Sequence, residues 1–323
     1  MKKHIKCSSP SKIIFFGEHA VVYGYPAIVS AISKRSFCEI KSNKDESFSI
    51  DLMNFKTSKT YQKSALDSQF KEKNKKFSSF LAIIKNLNDF KSFDSGFNIK
   101  IYSEVPIGAG LGSSASVNVS LVNALNYFFE LNLSRKEISE FAFIGEKEIH
   151  GNPSGIDNTI ATFGGMLWYE NKKFEPLEFM GNLSFIVSNT NIHRNTGELV
   201  EHVRKLYGKK KDKVTELFES IKVIVKKAKI SLKKNDLFEL GNLMNLNQEI
   251  LEKIGVSNPE IEDLIQIAKK NGAYGSKLTG AGGGGCIISL TDLDNEKKLL
   301  DALNKKSKSF KVELDRKGTL LEI

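Results

Sequence analysis

The chain is poor in the residues that build metal or disulfide scaffolds. Its 323 residues include three cysteines, Cys7, Cys38 and Cys286, odd in number and far apart. No Cys-x-x-Cys spacing occurs, which argues against structural zinc and against a disulfide framework. No apolar run approaches the length of a membrane span. The basic Met1–Lys6 segment is followed by a polar C-S-S-P rather than an apolar signal core, so a cytoplasmic location is expected. No internal repeat of fixed period is found. Aromatic-interleaved basic motifs are also missing. The formal charge of +10 comes instead from lysines spread through segments such as Lys209–Lys213, Lys226–Lys234 and Lys305–Lys311. Acidic residues interrupt them, which reads as a solvated lysine-rich surface with no nucleic-acid and no membrane partner. Such a surface can still steer an anionic substrate. With 40% apolar and 27% charged residues the composition is that of a globular protein large enough for two domains.

The most informative stretch is Pro106–Ala115, P-I-G-A-G-L-G-S-S-A. Before it, Phe97, Ile99, Ile101, Ser103 and Val105 alternate with polar residues, the period of a half-buried strand. After it, Val117, Leu121, Leu125 and Phe128 recur at helical spacing. Gly108, Gly110 and Gly112 allow a tight turn that leaves backbone N–H groups uncovered. Those donors open onto a helix N-terminus, where the dipole is positive, and that combination suits phosphate. Ser113 and Ser114 add hydroxyls at cap or first-turn positions. The loop is not a Walker A, because no Lys-Ser/Thr pair follows its glycines.

Other polar residues stand out against apolar surroundings. Ile13–Phe16 reads as a buried strand, flanked by Lys12 and by the Glu18-His19 pair, and buried polar groups of this kind need partners or water. Ala27–Ala31 and Phe37–Ile40 read as strands, and 42–78 as polar loops with a short helix or two. A helix starts at Ser134, whose spacing to Glu137 fits a capping box, with Leu133 and Ile138 as a staple. Glu146 lies in its last turns, where the dipole disfavours a carboxylate unless a cation is near. Asp157 follows the Pro153–Gly155 turn and is a candidate either for chemistry or for capping a helix from Asn158. Residues 171–182 read as a linker, dividing the chain into 1–180 and 181–323. Arg194 and Thr196 sit where a later strand hands over to a helix. Helices are expected over about 213–231, 235–254, 259–270 and 296–304. A second glycine-rich loop, 279–285, has five glycines in the six positions from Gly280 to Gly285. So many glycines point to a mobile or close-approaching loop against a ligand. The element pattern is that of two α+β domains, each contributing one glycine loop.

Three ordered stretches, Pro10–Gly24, Pro106–Ser116 and Lys277–Cys286, resemble the superfamily of galactokinase, homoserine kinase, mevalonate kinase and phosphomevalonate kinase, the GHMP kinases. Within it, G-E-H-A-V-V-Y-G, G-E-K-E-I-H-G-N-P-S-G-I-D-N and H-R-N-T are most similar to the mevalonate kinase branch. Ser11 and Ser116 depart from the glycine and alanine common there. The resemblance implies a ribosomal-protein-like N-terminal domain, a ferredoxin-like C-terminal domain and an active site between them. It implies ATP with its phosphates on Pro106, Ile107, Gly108, Ala109, Gly110, Leu111, Gly112, Ser113, Ser114 and Ala115, and Mg²⁺ on Ser114 and Glu146. Asp157 would be the base and Lys12 its charged neighbour. Glu18, His19, Arg194 and Thr196 would hold (R)-mevalonate, phosphorylated at its 5-hydroxyl. The 279–285 loop would close against the phosphates. A homodimer is left open. The nearest alternative is another small-molecule kinase of the superfamily, such as a phosphomevalonate kinase, since few positions set the substrate.

Overall fold

The computed structural model describes the chain except residues 1–2, 67–71, 107, 152, 172 and 193–195 and the side chains of His150 and Thr196. Two sheets organise it. The larger contains β1 (His4–Phe16), β2 (Ala27–Ser42), β3 (Ser47–Leu52), β4 (Thr57–Gln62), β5 (Phe97–Ser103), β6 (Met166–Glu170) and β7 (Lys173–Pro176). The smaller contains β8 (Ser184–Asn189), β9 (Gly275–Thr279), β10 (Cys286–Leu290) and β11 (Lys308–Glu313), after which β12 (Leu320–Leu321) returns to the larger. In space the larger runs β12-β1-β2-β5-β3-β4, with β6 and β7 branching from β2. The helices of the first half are α1 (Lys75–Phe90), α2 (Ser113–Phe128), α3 (Arg135–His150) and α4 (Ile156–Phe163). Those of the second are α5 (Thr196–Lys209), α6 (Lys211–Lys234), α7 (Leu237–Ile254), α8 (Pro259–Lys270) and α9 (Leu293–Asn304).

The smaller sheet has the order β11-β8-β10-β9 and is antiparallel throughout. Taken with the helices between its strands, this is the split β-α-β arrangement of a ferredoxin-like domain. In the first half, α2 is buried along almost its whole length, including Ser116, Asn118, Ser120 and Asn123. It lies against β1 and β2 on one side and α3 on the other, so it has no solvent face to give it a polar stripe. The capping box at the start of α3 forms as expected: the Ser134 hydroxyl accepts from Glu137 N–H, and the Glu137 carboxylate accepts from Ser134 N–H.

Three local expectations need correction. Within 42–78 short helices do occur, as 3₁₀ turns at Met53–Phe55 and Lys63–Leu66, but the segment also forms the β3–β4 hairpin, because Phe48, Ile50 and Leu52 alternate into the core beside β5. The two short strands at 27–31 and 37–40 are one strand, β2. Its polar middle is tolerated because Arg35 has partners. Arg35 pairs with Asp315, donates from Nε to Ser8 Oγ at 2.7 Å and reaches Gly318 O at 2.6 Å. Within the expected linker, β7 pairs with β6.

Arg35 thereby ties the chain's end to the first sheet, beside the β1–β12 pairing and the Lys6 N–H to Ile323 O bond. Arg35→Met leaves the largely buried Asp315 carboxylate without its cation. The expected loss is roughly 3 kcal/mol of unfolding free energy, read by urea denaturation. A loss below about 1 kcal/mol would show the tail to be held by strand pairing alone.

Candidate active site

The phosphate-loop candidate links β5 to α2. Gly108, Gly110 and Gly112 all have positive φ, at 73°, 75° and 70°. Between them Ala109 and Leu111 point into the core and anchor the turn. Lys12 N–H donates to Leu111 O at 2.8 Å, fastening the loop to β1. A methyl group on Gly108 would meet nothing within 4 Å, so this part of the loop borders open space. One on Gly112 would stand 2.7 Å from the Lys12 side chain, so that glycine lets the lysine cross the helix start. Gly112 is the N-cap of α2, and Ser113 and Ser114 open its first turn. Ile107 lies outside the described residues.

Lys12 is directed at Asp157, Nζ to Oδ1 at 3.1 Å. Asp157 does not cap a helix at 158. Helix α4 starts at Ile156 with Gly155 as its N-cap in the left-handed conformation, which leaves Asp157 in the first turn. There the helix dipole favours its negative charge. The lysine side chain is nearly buried, while Asp157 remains one-third exposed, so one end of the pair is open to a reactant.

Glu146 approaches the same place from the far end of α3. It is buried rather than exposed. Its Oε1 accepts from Ser114 Oγ at 2.5 Å and from Asn118 Nδ2 at 2.9 Å. Burial lifts its carboxyl to about 7 and the charge of Asp157 adds to this, against the hydrogen bonds from Ser114 and Asn118 and the charge of Lys12. Four residues singled out in the sequence, Lys12, Ser114, Glu146 and Asp157, thus meet around the start of α2. Ser114 and Glu146 present hard oxygens, the donor type Mg²⁺ prefers. Among the described residues no group of three or more His, Cys, Asp or Glu side chains could hold a metal.

Glu18 and His19 occupy the turn after β1, where His19 has φ 61°, unusual for a residue with a side chain. His19 Nε2–H donates to Ala281 O at 2.9 Å. Glu18 is fully buried and paired with the fully buried Lys277 of β9. Burial pushes the Glu18 carboxyl up and the Lys277 ammonium down, each opposed by the other's charge. Thr279 Oγ1 accepts from Ile14 N–H at 2.9 Å and donates to Ile14 O at 3.0 Å. The seam between the domains therefore passes through these residues.

Lys277 and Asn118 were not singled out as site residues from sequence. Asn118 lies one helical turn after Ser114, and that spacing could have found it. Lys277 stands within the third motif, but nothing local distinguishes it from a surface lysine. Arg194 lies outside the described residues. Thr196 opens α5, with its side chain not described.

The second glycine loop has a different reason for its composition. Added methyl groups would stand 2.1 Å from Val256 O at Gly282, 2.7 Å from Leu199 at Gly283 and 2.7 Å from Ile192 O at Gly284. Gly283 N–H donates to Val256 O at 2.8 Å. Backbone neighbours at Gly282 and Gly284, and a φ of 63° at Gly283, give these three glycines a reason within the chain itself.

Comparison with known proteins bears on the whole chain. The GHMP kinases N terminal domain model matches residues 78–165 and the GHMP kinases C terminal model residues 228–309. The mevalonate kinase of Pyrococcus horikoshii is 39% identical over 300 residues, covering 90% of this chain and 89% of that relative. The crystal structure of the Methanococcus jannaschii mevalonate kinase superposes with a TM-score of 0.87 at 34% identity, covering 97% of this chain and 98% of that one. That of the L. major mevalonate kinase, in complex with R-mevalonate, gives 0.85 at 29% identity, covering 98% and 97%. The chain has the two-domain GHMP kinase fold and belongs to the mevalonate kinase family.

Proposed function

We propose that this protein transfers the γ-phosphoryl group of ATP to the 5-hydroxyl of (R)-mevalonate, giving 5-phosphomevalonate and ADP. The observation that carries the reading is the convergence of Lys12, Asp157, Ser114 and Glu146 on the glycine loop at the start of α2. The choice of acceptor is supported by the relatives at 34–39% identity that are mevalonate kinases.

In this reading the backbone N–H groups of Gly108–Ser113 hold the β- and γ-phosphates at a helix N-terminus. Asp157 orients the 5-hydroxyl and takes its proton, while Lys12 stabilises the developing alkoxide. The hydroxyl oxygen bonds to the γ-phosphorus as the bond to the β-phosphate oxygen breaks, and ADP leaves. Ser114 and Glu146 would hold Mg²⁺, which when bound offsets charge on the phosphate oxygens. Glu18 and His19 would face the acceptor, and Arg194 and Thr196 would be further partners of mevalonate. The protein works in the cytoplasm on small molecules, without nucleic acid or membrane. Among the described residues no helix is long and apolar enough to cross a bilayer.

The test is a coupled ADP-release assay against mevalonate, phosphomevalonate, homoserine and galactose. Mevalonate should give the highest kcat/KM by at least about 100-fold, because a polar site left partly unpaired by the wrong acceptor discriminates strongly. A preference for phosphomevalonate would move the protein to a neighbouring step of the same superfamily.

A further inference from the structure

The Glu18–Lys277 pair joins the two domains. Glu18 follows β1 in the first domain, and Lys277 is the middle residue of β9 in the second, opposite Ile288 of β10. Both side chains are completely buried. A buried ion pair is a poor source of stability, because desolvation cancels most of the attraction and apolar residues of similar size do as well. Its value lies in fixing geometry.

That geometry is one-sided. The Lys277 ammonium binds Glu18 Oε1 and the carbonyl of Leu278, the latter at 2.7 Å. Leu278 N–H is in turn held by Gln248 Oε1 at 3.0 Å, so the lysine stands on a fixed strand. The second carboxylate oxygen, Glu18 Oε2, is buried and has no hydrogen-bond partner among the described residues. Native structures rarely leave a buried acceptor unfilled, and at a functional site the filler is water or a ligand. Glu18 also feels the charge of Lys12, the residue that holds Asp157, which connects it electrostatically to the transfer site.

We infer that Lys277 is a positioning residue: it grips Glu18 by one oxygen and leaves the other to accept a hydrogen bond from a hydroxyl of the bound acceptor. The inference rests on the assignment of Glu18 to the mevalonate end of the cleft. It also makes that end dependent on domain docking, because the residue that aims Glu18 comes from the other domain. Without Lys277 the buried carboxyl takes up a proton and loses its fixed orientation, and the acceptor loses a charge-assisted contact.

Steady-state kinetics of Glu18→Gln, Lys277→Met and the double variant provide the test, with thermal unfolding and ATP-analogue binding measured alongside. Each single variant should raise the mevalonate KM by about 10- to 100-fold, the value of one hydrogen bond to a charged group. The ATP KM should stay within about threefold, a split that general loosening would not produce. The double variant should be no worse than Glu18→Gln, because both changes remove one interaction. A Lys277→Met enzyme with normal mevalonate KM beside a defective Glu18→Gln would overturn the positioning role and leave the substrate reading intact. A normal mevalonate KM in Glu18→Gln would remove Glu18 from the acceptor site and the inference with it. Parallel rises in both KM values, or a double variant worse by the product of the two singles, would also overturn it. If Lys277→Met does not fold, the uncharged double variant decides by its comparison with Glu18→Gln.

Discussion

Asp157→Asn should reduce kcat by about 10²- to 10⁴-fold, the usual contribution of a positioned general base. The substitution keeps the size of the side chain and its place in the first turn of α4. It removes the negative charge opposite Lys12 and the proposed acceptor for the hydroxyl proton. ATP affinity should change little, because the glycine loop is held by Lys12 N–H, Ala109 and Leu111, none of which depends on the Asp157 carboxylate. Rapid-quench turnover and equilibrium binding of a non-hydrolysable ATP analogue separate the two effects. An equal loss of ATP affinity in a folded variant would contradict the role given to Asp157.

Glu146→Gln should raise the Mg²⁺ concentration for half-maximal activity by about 100-fold or more, since even outer-shell partners of a bound ion cost 10- to 100-fold. Burial, the largest cause, lifts the Glu146 carboxyl from 4.5 to about 7. A carboxyl raised in this way stabilises the fold while protonated. That contribution is fully present below about 4.5 and is lost as pH rises through about 7. Magnesium requires the ionised form, so its binding should release a proton and weaken by up to about tenfold per pH unit below 7. Calorimetry of Mg²⁺ binding to the nucleotide-loaded protein, in two buffers of different ionisation enthalpy, reads the proton directly. Glu146→Gln should abolish both the proton release and the pH dependence. Unchanged proton release would place the metal elsewhere.

Much of the site is legible in the sequence because it is built from local features. A strand, three alternating glycines and a helix start define the candidate phosphate loop, and all three glycines take the positive φ that the turn needs. The Pro153–Gly155 turn announces Asp157 for a similar reason. What the sequence hides is contact across distance. Nothing near residue 277 marks its lysine as buried, since its partner is 259 residues away. The single long β2 is hidden likewise, because Arg35 finds Asp315 and Gly318 only after the chain's end returns. The β3–β4 hairpin was obscured by β4, T-S-K-T-Y-Q, where Tyr61 is the only buried side chain. The 282–284 glycines show the converse. Their abundance is visible in the sequence, but its cause, the approach of Val256, Leu199 and Ile192, is tertiary.

The most direct measurement is a crystal structure with (R)-mevalonate and a non-hydrolysable ATP analogue bound together with Mg²⁺. The Asp157 carboxylate should lie within hydrogen-bond reach of the 5-hydroxyl, about 2.6–3.2 Å, with that oxygen in line with the terminal phosphorus. A closed complex in which the acceptor hydroxyl faces another side chain, with Asp157 still engaged only by Lys12, would contradict the assignment.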